Sequence, residues 1–454
     1  MKKLISCWLI SLAFSGIGKG ADVSIVKYGA TGDGNTLNTV AIQKAIDVCH
    51  QTGGGKVLFP EGRFLSGTIV LKDNVTLHLE KNAVLLGSTD LADYRNMDPF
   101  TEGLGIEVGW ALLVAVDARN IGIEGAGTID GQGSAIKAKH ILTDIRPEGQ
   151  RWGLRPFLIR MVRCTGLKVT GVTLKSAGAW TSHYFQSKEI LIEGIKIESI
   201  GVAHNDGIGI DGCQEVSIKD CDIISGDDAL VFKTTSSKMA CRNIVVSGLR
   251  LKSNQAGIKI GTESMAAFEN IKISGCHIYD TKNGGIKLLS VDGARISNVE
   301  ISDISMENVR TPMLFRLGSR LNVFRKGEVR QQTGSLDQVT IRNVKAIAAD
   351  DAQLMPPTGI LITGVPGHDI TNLTLAHIEI TLAGGGTTED AKQVVPEAID
   401  QYPEIKTFGP KIPAYGLWAR HVKGLKVINL KFNLKSKDLR PACVYEDVKG
   451  LLTP

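Results

Sequence analysis

Four short segments of this chain repeat one pattern: Gly207–Ile210 (GIGI), Ala229–Phe232 (ALVF), Gly257–Ile260 (GIKI) and Gly285–Leu288 (GIKL). Each follows a polar turn, and the aliphatic side chains alternate with small or polar ones. A second series of strand starts recurs at Leu167, Ile190, Val216, Ile244, Ile271 and Val299, at intervals of 23, 26, 28, 27 and 28 residues. A fixed period in this range marks stacked supersecondary units. Helices do not keep such a register. The runs are short, β-branched residues dominate, and Gly or Asn punctuates every unit. Each unit holds two or three strands, as in Val216–Ile218, Asp222–Ile224 and Leu230–Phe232. The pattern predicts an all-β chain folded as a parallel β-helix.

That architecture removes the usual inference from length. A chain of 454 residues normally divides into domains, whereas a solenoid extends its core along one axis. Residues 22–454 are therefore expected to form a single domain. An exposed solenoid end needs a cap. Residues 38–50 supply a helix for it, with Val40, Ile42, Ala45, Ile46 and Cys49 near helical spacing, Asn38 or Thr39 as N-cap, and Gly53-Gly54-Gly55 as the stop. The repeat breaks over 346–423, which carries Pro356-Pro357 and Gly384-Gly385-Gly386 and is expected to form long loops over the helix. Residues 1–21 resemble a bacterial secretory signal: Lys2 and Lys3, an apolar run from Leu4 to Phe14, then small residues to Ala21. The run is too short to span a bilayer, so the mature chain is expected to be exported, periplasmic or extracellular, and a monomer. Beyond Cys7, seven cysteines remain, an odd number that cannot all pair; they are expected to be mostly reduced core residues, and no spacing resembles a zinc site. A net charge of only +5 gives no signal for nucleic acid.

Chemistry concentrates in two acidic turns within the repeat. Asn205-Asp206-Gly207 and Gly226-Asp227-Asp228 stand one unit apart, so stacking brings Asp206, Asp227 and Asp228 together on one wall. As isolated tripeptides these are ordinary turn sequences. In register on a rigid wall they form the carboxylate cluster that glycoside hydrolysis requires, with one acid to protonate the leaving oxygen and one base to activate water. Clustered negative charge also raises the pKa of one carboxyl and keeps it protonated. Ile258 and Ile260 turned inward send Lys259 outward beside Lys287 one unit on, and an anion between the two ammonium groups, a sugar carboxylate or Glu263, would relieve their repulsion. Lys233 lies on the preceding rung. No cofactor and no metal is called for.

Several segments together resemble the polygalacturonase-like glycoside hydrolases of family 28, right-handed parallel β-helices of the pectin-lyase-like type. They are VKYGATGDG (26–34), AIQKAID (41–47), GGGKVLFPEG (53–62), GTIDGQG (127–133), AWTSH (179–183), and the NDG and GDD turns. Their order and spacing cover nearly the whole mature chain. The resemblance implies Asp227 as general acid and Asp206 with Asp228 as the pair that activates water, with inversion at the anomeric carbon. It also implies Trp180, His183 and Asn205 as substrate-binding positions beside Lys233, Lys259, Glu263 and Lys287. Two departures bear on the substrate. Where the family carries Gly-His-Gly this chain aligns Gln255-Ala256-Gly257, and where it carries Arg-Ile-Lys this chain aligns Gly285-Ile286-Lys287. The expected substrate is a pectic polysaccharide or oligosaccharide, cut at galacturonic acid or a neighbouring sugar such as rhamnose. Loops at 95–110, 134–157 and 385–415 are placed to wall one end of the cleft, which favours release of terminal sugars. The competing readings are a β-helix lyase, using Lys259 or Lys287 as base and calcium on the acids, and a non-catalytic glycan-binding solenoid.

Overall fold

The computed structural model describes residues 22–103, 105–146, 153–351 and 353–453. The expected signal segment, 1–21, lies outside them. The described chain winds as a right-handed parallel β-helix, the hand that right-twisted strands impose on parallel crossovers. Thr39–Gln51 forms the capping helix and buries Ile42, Ala45, Ile46 and Cys49. Val40, expected on that apolar face, is instead 82% exposed, because it falls on the side of the helix opposite the buried stripe. Asn38 precedes the helix but does not cap it with its side chain. Its amide bonds the backbone of Thr31 and Thr36 instead.

The repeat register is the strand register. One face of the helix, here called the front sheet, stacks Ser182–Phe185, Ile208–Asp211, Leu230–Thr234, Ala256–Ser264, Gly284–Ser290 and Met313–Leu317 in parallel. Ile208 pairs with Leu230, Leu230 with Ile258, and Ile258 with Ile286, a fully buried inward ladder. Val231 pairs with Lys259 and Lys259 with Lys287 on the outward column. Each buried aliphatic contributes roughly 1.5–3 kcal/mol by leaving water. Ile258→Ala, which would leave a void in the ladder, is expected to lower unfolding free energy by about 2–5 kcal/mol, measurable by denaturant titration.

The segment 346–423 differs from expectation. Ile360–Thr363, Ile370–Leu382 and Leu417–Lys423 continue the coils within it, so its longest excursion is 383–416. The repeat is hidden there because the connection between successive coils lengthens, while the strands keep their alternation. That excursion packs Val395, Ile405, Phe408, Ile412 and Ala414 onto Leu314, Leu361 and Trp418, the apolar continuation of the front sheet's outward column. At the other side, Phe100, Ile106, Val108 and Ile141 pack onto Val114, Phe157 and Trp180. The outward face of the front sheet is thus apolar and covered on both flanks. Between the covers lies the polar stretch that carries Asp206, Asp227, Asp228, Lys259 and Lys287. Seven cysteines of the described residues are unpaired, six of them buried, as expected for small core side chains. No helix of the described residues is long and apolar enough to cross a membrane.

Candidate active site

The two acidic turns sit on adjacent coils, joined by backbone hydrogen bonds. Thr181 N–H donates to the Asp206 carbonyl at 2.8 Å, Gly207 N–H to the Asp228 carbonyl at 2.9 Å, and Ala229 N–H to the Ala256 carbonyl at 2.9 Å. Close approach explains the glycines. A Cβ on Gly207 would lie 2.4 Å from the Ala229 carbonyl oxygen, and one on Gly226 would lie 2.1 Å from Asn205 Oδ1. Both turns therefore hold glycine so that neighbouring coils can touch, which brings the acids together. Asp206 and Asp228 are buried, and Asp227 is half-buried.

Each acid meets a different field. Burial is the main cause that raises the pKa of Asp206 well above the usual carboxylate range; Lys233 opposes it, and Asp227 and Asp228 add to it. Burial, then the charge of Asp228, pushes Asp227 up to about 6 against the pull of Lys259 and Lys233. Burial acts the same way on Asp228, but Lys259 and Lys233 outweigh it and hold its pKa below the ordinary value. Lys259 Nζ donates to Asp228 Oδ2 at 2.7 Å, and the Ala256 N–H donates to Oδ1 at 3.1 Å. Each acid feels the charge of its neighbours, so the protonation of one depends on that of the others. Asp227 thus keeps a proton over the mildly acidic range beside Asp228, which stays ionised. Such a pairing serves general acid and general base at once.

The lysines are each engaged. Lys233 Nζ donates to Glu263 Oε2 at 2.8 Å, stands 3.5 Å from Asp206 Oδ2 and lies 4.6 Å above the Trp180 ring. Burial would push Glu263 up, but Lys233, Lys259 and Arg320 bring it down to about 2. Lys287 Nζ has its nearest carboxylate at 3.7 Å, on Glu404. Burial lowers its pKa, against the pull of Glu404. Glu263 therefore does not lie between Lys259 and Lys287. It pairs with Lys233, and the two stacked ammonium groups take different partners, Lys259 with Asp228 and Lys287 with Glu404.

Two expected substrate-binding side chains are covered by protein, although His183 keeps to the outward column of the front sheet, in register with Gly209 and Val231. His183 is fully buried, its Nε2 3.1 Å from Asp211 Oδ2, and its ring stacks on Phe157 at 5.4 Å and 20°. Burial brings its pKa down to about 4 despite Asp211, so the ring is neutral at neutral pH. It meets Trp180 edge-on at 4.9 Å and so supports the ring beneath Lys233. Asn205 is also fully buried and fills the space behind Gly226.

Other side chains reach the site without a sequence signal of their own. Arg155 is buried, donates to the Gly178 carbonyl at 2.9 Å, and lies close enough for its charge to be felt by Glu102, Asp227 and Asp206. Tyr402 accepts from Thr262 Oγ1 at 3.1 Å and lies beneath Arg320, 5.3 Å from its ring centre. Arg320 is held by Asp292 through Nε at 2.9 Å and through Nη2 at 2.5 Å. On the opposite flank, Thr101 N–H donates to the Phe324 carbonyl at 3.1 Å, and Arg325 bonds Asp98 at 3.0 Å. These bonds tie the strand Arg95–Thr101 to the 318–333 segment across the front sheet. Gly103 lies hard against Glu263, since a Cβ there would be 2.1 Å from Oε1.

Comparison with known proteins agrees with this fold. A Vitis vinifera protein described as "Probable polygalacturonase" is 27% identical over 321 residues, covering 66% of this chain and 64% of that protein. The chain thus spans about two thirds of that relative's length. An exopolygalacturonase of Zea mays is 27% identical over 335 residues, 64% of this chain and 77% of the relative. Among solved structures, the Yersinia enterocolitica family 28 exopolygalacturonase superposes with a TM-score of 0.77 at 18% identity, over 95% of this chain and 78% of that one, a likeness of fold. The sequence model of glycosyl hydrolases family 28 matches residues 49–399, which include both acidic turns and the four-segment repeat. On that match over most of its length, this chain belongs to glycosyl hydrolases family 28.

Proposed function

We propose that this protein hydrolyses a pectic poly- or oligosaccharide from a chain end, at a glycosidic bond next to galacturonic acid, with inversion. The observation that carries the reading is the coupled carboxylate cluster, open at Asp227 and closed behind Glu263 by the Gly103 hairpin. Asp227 delivers its proton to the glycosidic oxygen as the bond to the anomeric carbon breaks. A water oxygen attaches to that carbon from the opposite face, and its proton passes to the Asp206–Asp228 pair. Lys259 keeps Asp228 ionised for this step. It stands on the coil where the family motif has its histidine and this chain has Ala256. Lys287, with no carboxylate closer than 3.7 Å among the described residues, is the cation best placed for a sugar carboxylate.

The hairpin wall supports action at a chain end, and a relative at 27% identity is named an exopolygalacturonase. The lyase reading is weaker because Lys259 is bound to Asp228 and Lys287 is buried beside Glu404, so neither stands free as a base. The non-catalytic reading leaves three coupled acids with no purpose. An exported, periplasmic or extracellular monomer formed by residues 22–454 is part of the same proposal.

The test is product analysis on defined galacturonate oligomers. A single monosaccharide should accumulate from the first turnovers, with one water added per bond cut. An even ladder of shorter oligomers would reject the chain-end reading. Products with a new double bond and no added water would reject hydrolysis.

A further inference from the structure

We propose that Glu263 is a positioning residue that sets the strength of the catalytic base: by taking the Lys233 ammonium, it leaves Asp206 an oxygen free to receive the proton of the attacking water. The proposal rests on Asp206 belonging to the water-activating pair.

The geometry is that of one cation between two buried carboxylates. Lys233 Nζ is 2.8 Å from Glu263 Oε2 and 3.5 Å from Asp206 Oδ2, so its hydrogen bond goes to Glu263 and only its field reaches Asp206. Both carboxylates and the ammonium are buried, so water screens the arrangement little. The Trp180 ring closes another side of the ammonium at 4.6 Å. Asp206 Oδ2, buried, has no hydrogen-bond donor among the described residues. A base needs such a lone pair, and an isolated buried carboxylate would bind a proton too tightly to act as one. A partly committed lysine gives an intermediate field.

Two features fix Glu263 in that position. It lies in the irregular stretch between Ile260 and Ser264, where the pairing of Leu230–Thr234 with Ala256–Ser264 shifts register. In addition, the Gly103 backbone is packed against Oε1, at a position where a Cβ would come within 2.1 Å. No left-handed backbone conformation makes glycine necessary at 103, so the carboxylate is what excludes a side chain. The hairpin that closes the site thereby holds Glu263. Glu263 holds Lys233, and Lys233 faces Asp206. The other charges facing Asp206 are Asp227 and Asp228 from the next turn, Lys259 from the strand beyond, and Arg155 from the segment before Phe157. Glu263 itself faces Lys233, Lys259, Arg320 and Asp292.

The experiment is the pH dependence of kcat/KM for the wild type, Glu263→Gln, Glu263→Asp and Gly103→Ala. With Glu263 neutral, the Lys233 charge turns to Asp206, which then ionises at lower pH. The acid limb should move down by about 1 pH unit in Glu263→Gln, and the plateau rate should fall because the base is weaker. Glu263→Asp should recover part of both. Gly103→Ala displaces the carboxylate without altering charge and should move the acid limb in the same direction. The alkaline limb, carried by Asp227, should move less, since Lys259 weighs more on that group than Lys233 does. An acid limb unmoved or raised in Glu263→Gln overturns the proposal. If that variant does not fold, an unmoved limb in Gly103→Ala does so. Asp206→Asn separates the two ideas. Retained turnover there removes the assignment of the base, whereas loss of turnover with an unmoved Glu263→Gln profile removes only the role of Glu263.

Discussion

Asp227→Asn is expected to fold normally and to lose turnover on a natural glycoside by about 10²–10⁴-fold, the usual contribution of a general acid. The asparagine keeps the shape of the side chain. It can still accept the hydrogen bond that the Asp228 N–H gives Oδ1 at 2.9 Å, and Ser225 and Ser253 still bond the residue's carbonyl at 2.6 and 2.5 Å. What it lacks is a proton to give. With its pKa pushed up to about 6 by burial and by Asp228, Asp227 carries that proton over the mildly acidic range and loses it as pH rises. The alkaline limb of the pH profile should therefore disappear in the variant. A substrate with a nitrophenolate leaving group needs little protonation, so its rate should fall far less than that of the natural linkage. Equal losses on both would make Asp227 a binding or structural residue, and near-normal turnover on the natural linkage would remove it from the chemistry. NMR of the first-formed product should show the inverted anomer, and retention would reject attack by water.

The legible part of this molecule was whatever repeats. Ile208, Leu230, Ile258 and Ile286 could be placed on one inward ladder because a parallel β-helix pairs each strand with its equivalent one coil away. The same register put Lys259 beside Lys287 and brought Asp206 near Asp228. Residues off the repeat were not legible. Tyr402 and Glu404 arrive from an excursion whose own apolar face, Ile405 and Phe408, docks on Leu314 and Trp418. Nothing periodic links those positions in sequence. The pairing of Glu263 with Lys233 was missed for a related reason. The pattern assumes regular pairing, and the register shifts between Phe232 and Thr234, which moves Glu263 out of the column of Lys259. His183 was read as a substrate-binding residue because AWTSH (179–183) resembles the family's Trp-x-x-His element. The structure buries that ring on the outward side of the front sheet, where Asp211, one coil on, and the Phe157 ring hold it.

The charge of the substrate should follow from which lysine is least committed to a protein carboxylate, and that lysine is Lys287. Lys259 is spent on Asp228 at 2.7 Å and Lys233 on Glu263 at 2.8 Å. Lys287 has Glu404 at 3.7 Å, and Glu404 already accepts from Asn283 at 2.5 Å. A buried ammonium with so loose a partner has lost its water and gained little in exchange, which is why its pKa is lowered by burial. An incoming uronate would restore what burial removed. A charge-assisted hydrogen bond contributes about 1.5–3 kcal/mol, or about 10- to 150-fold in binding. Lys287→Met is therefore expected to lower kcat/KM by at least about 10-fold on a uronate oligosaccharide. On the same oligosaccharide with that carboxyl methyl-esterified, the loss should be several times smaller. Lys259→Met should behave differently. By releasing Asp228 it should lower kcat on both substrates alike, because the carboxylate it holds ionised then regains affinity for a proton. If Lys287→Met lowers the rate equally on acid and ester, Lys287 does not read the carboxylate, and the sugar at that position is a neutral one such as rhamnose.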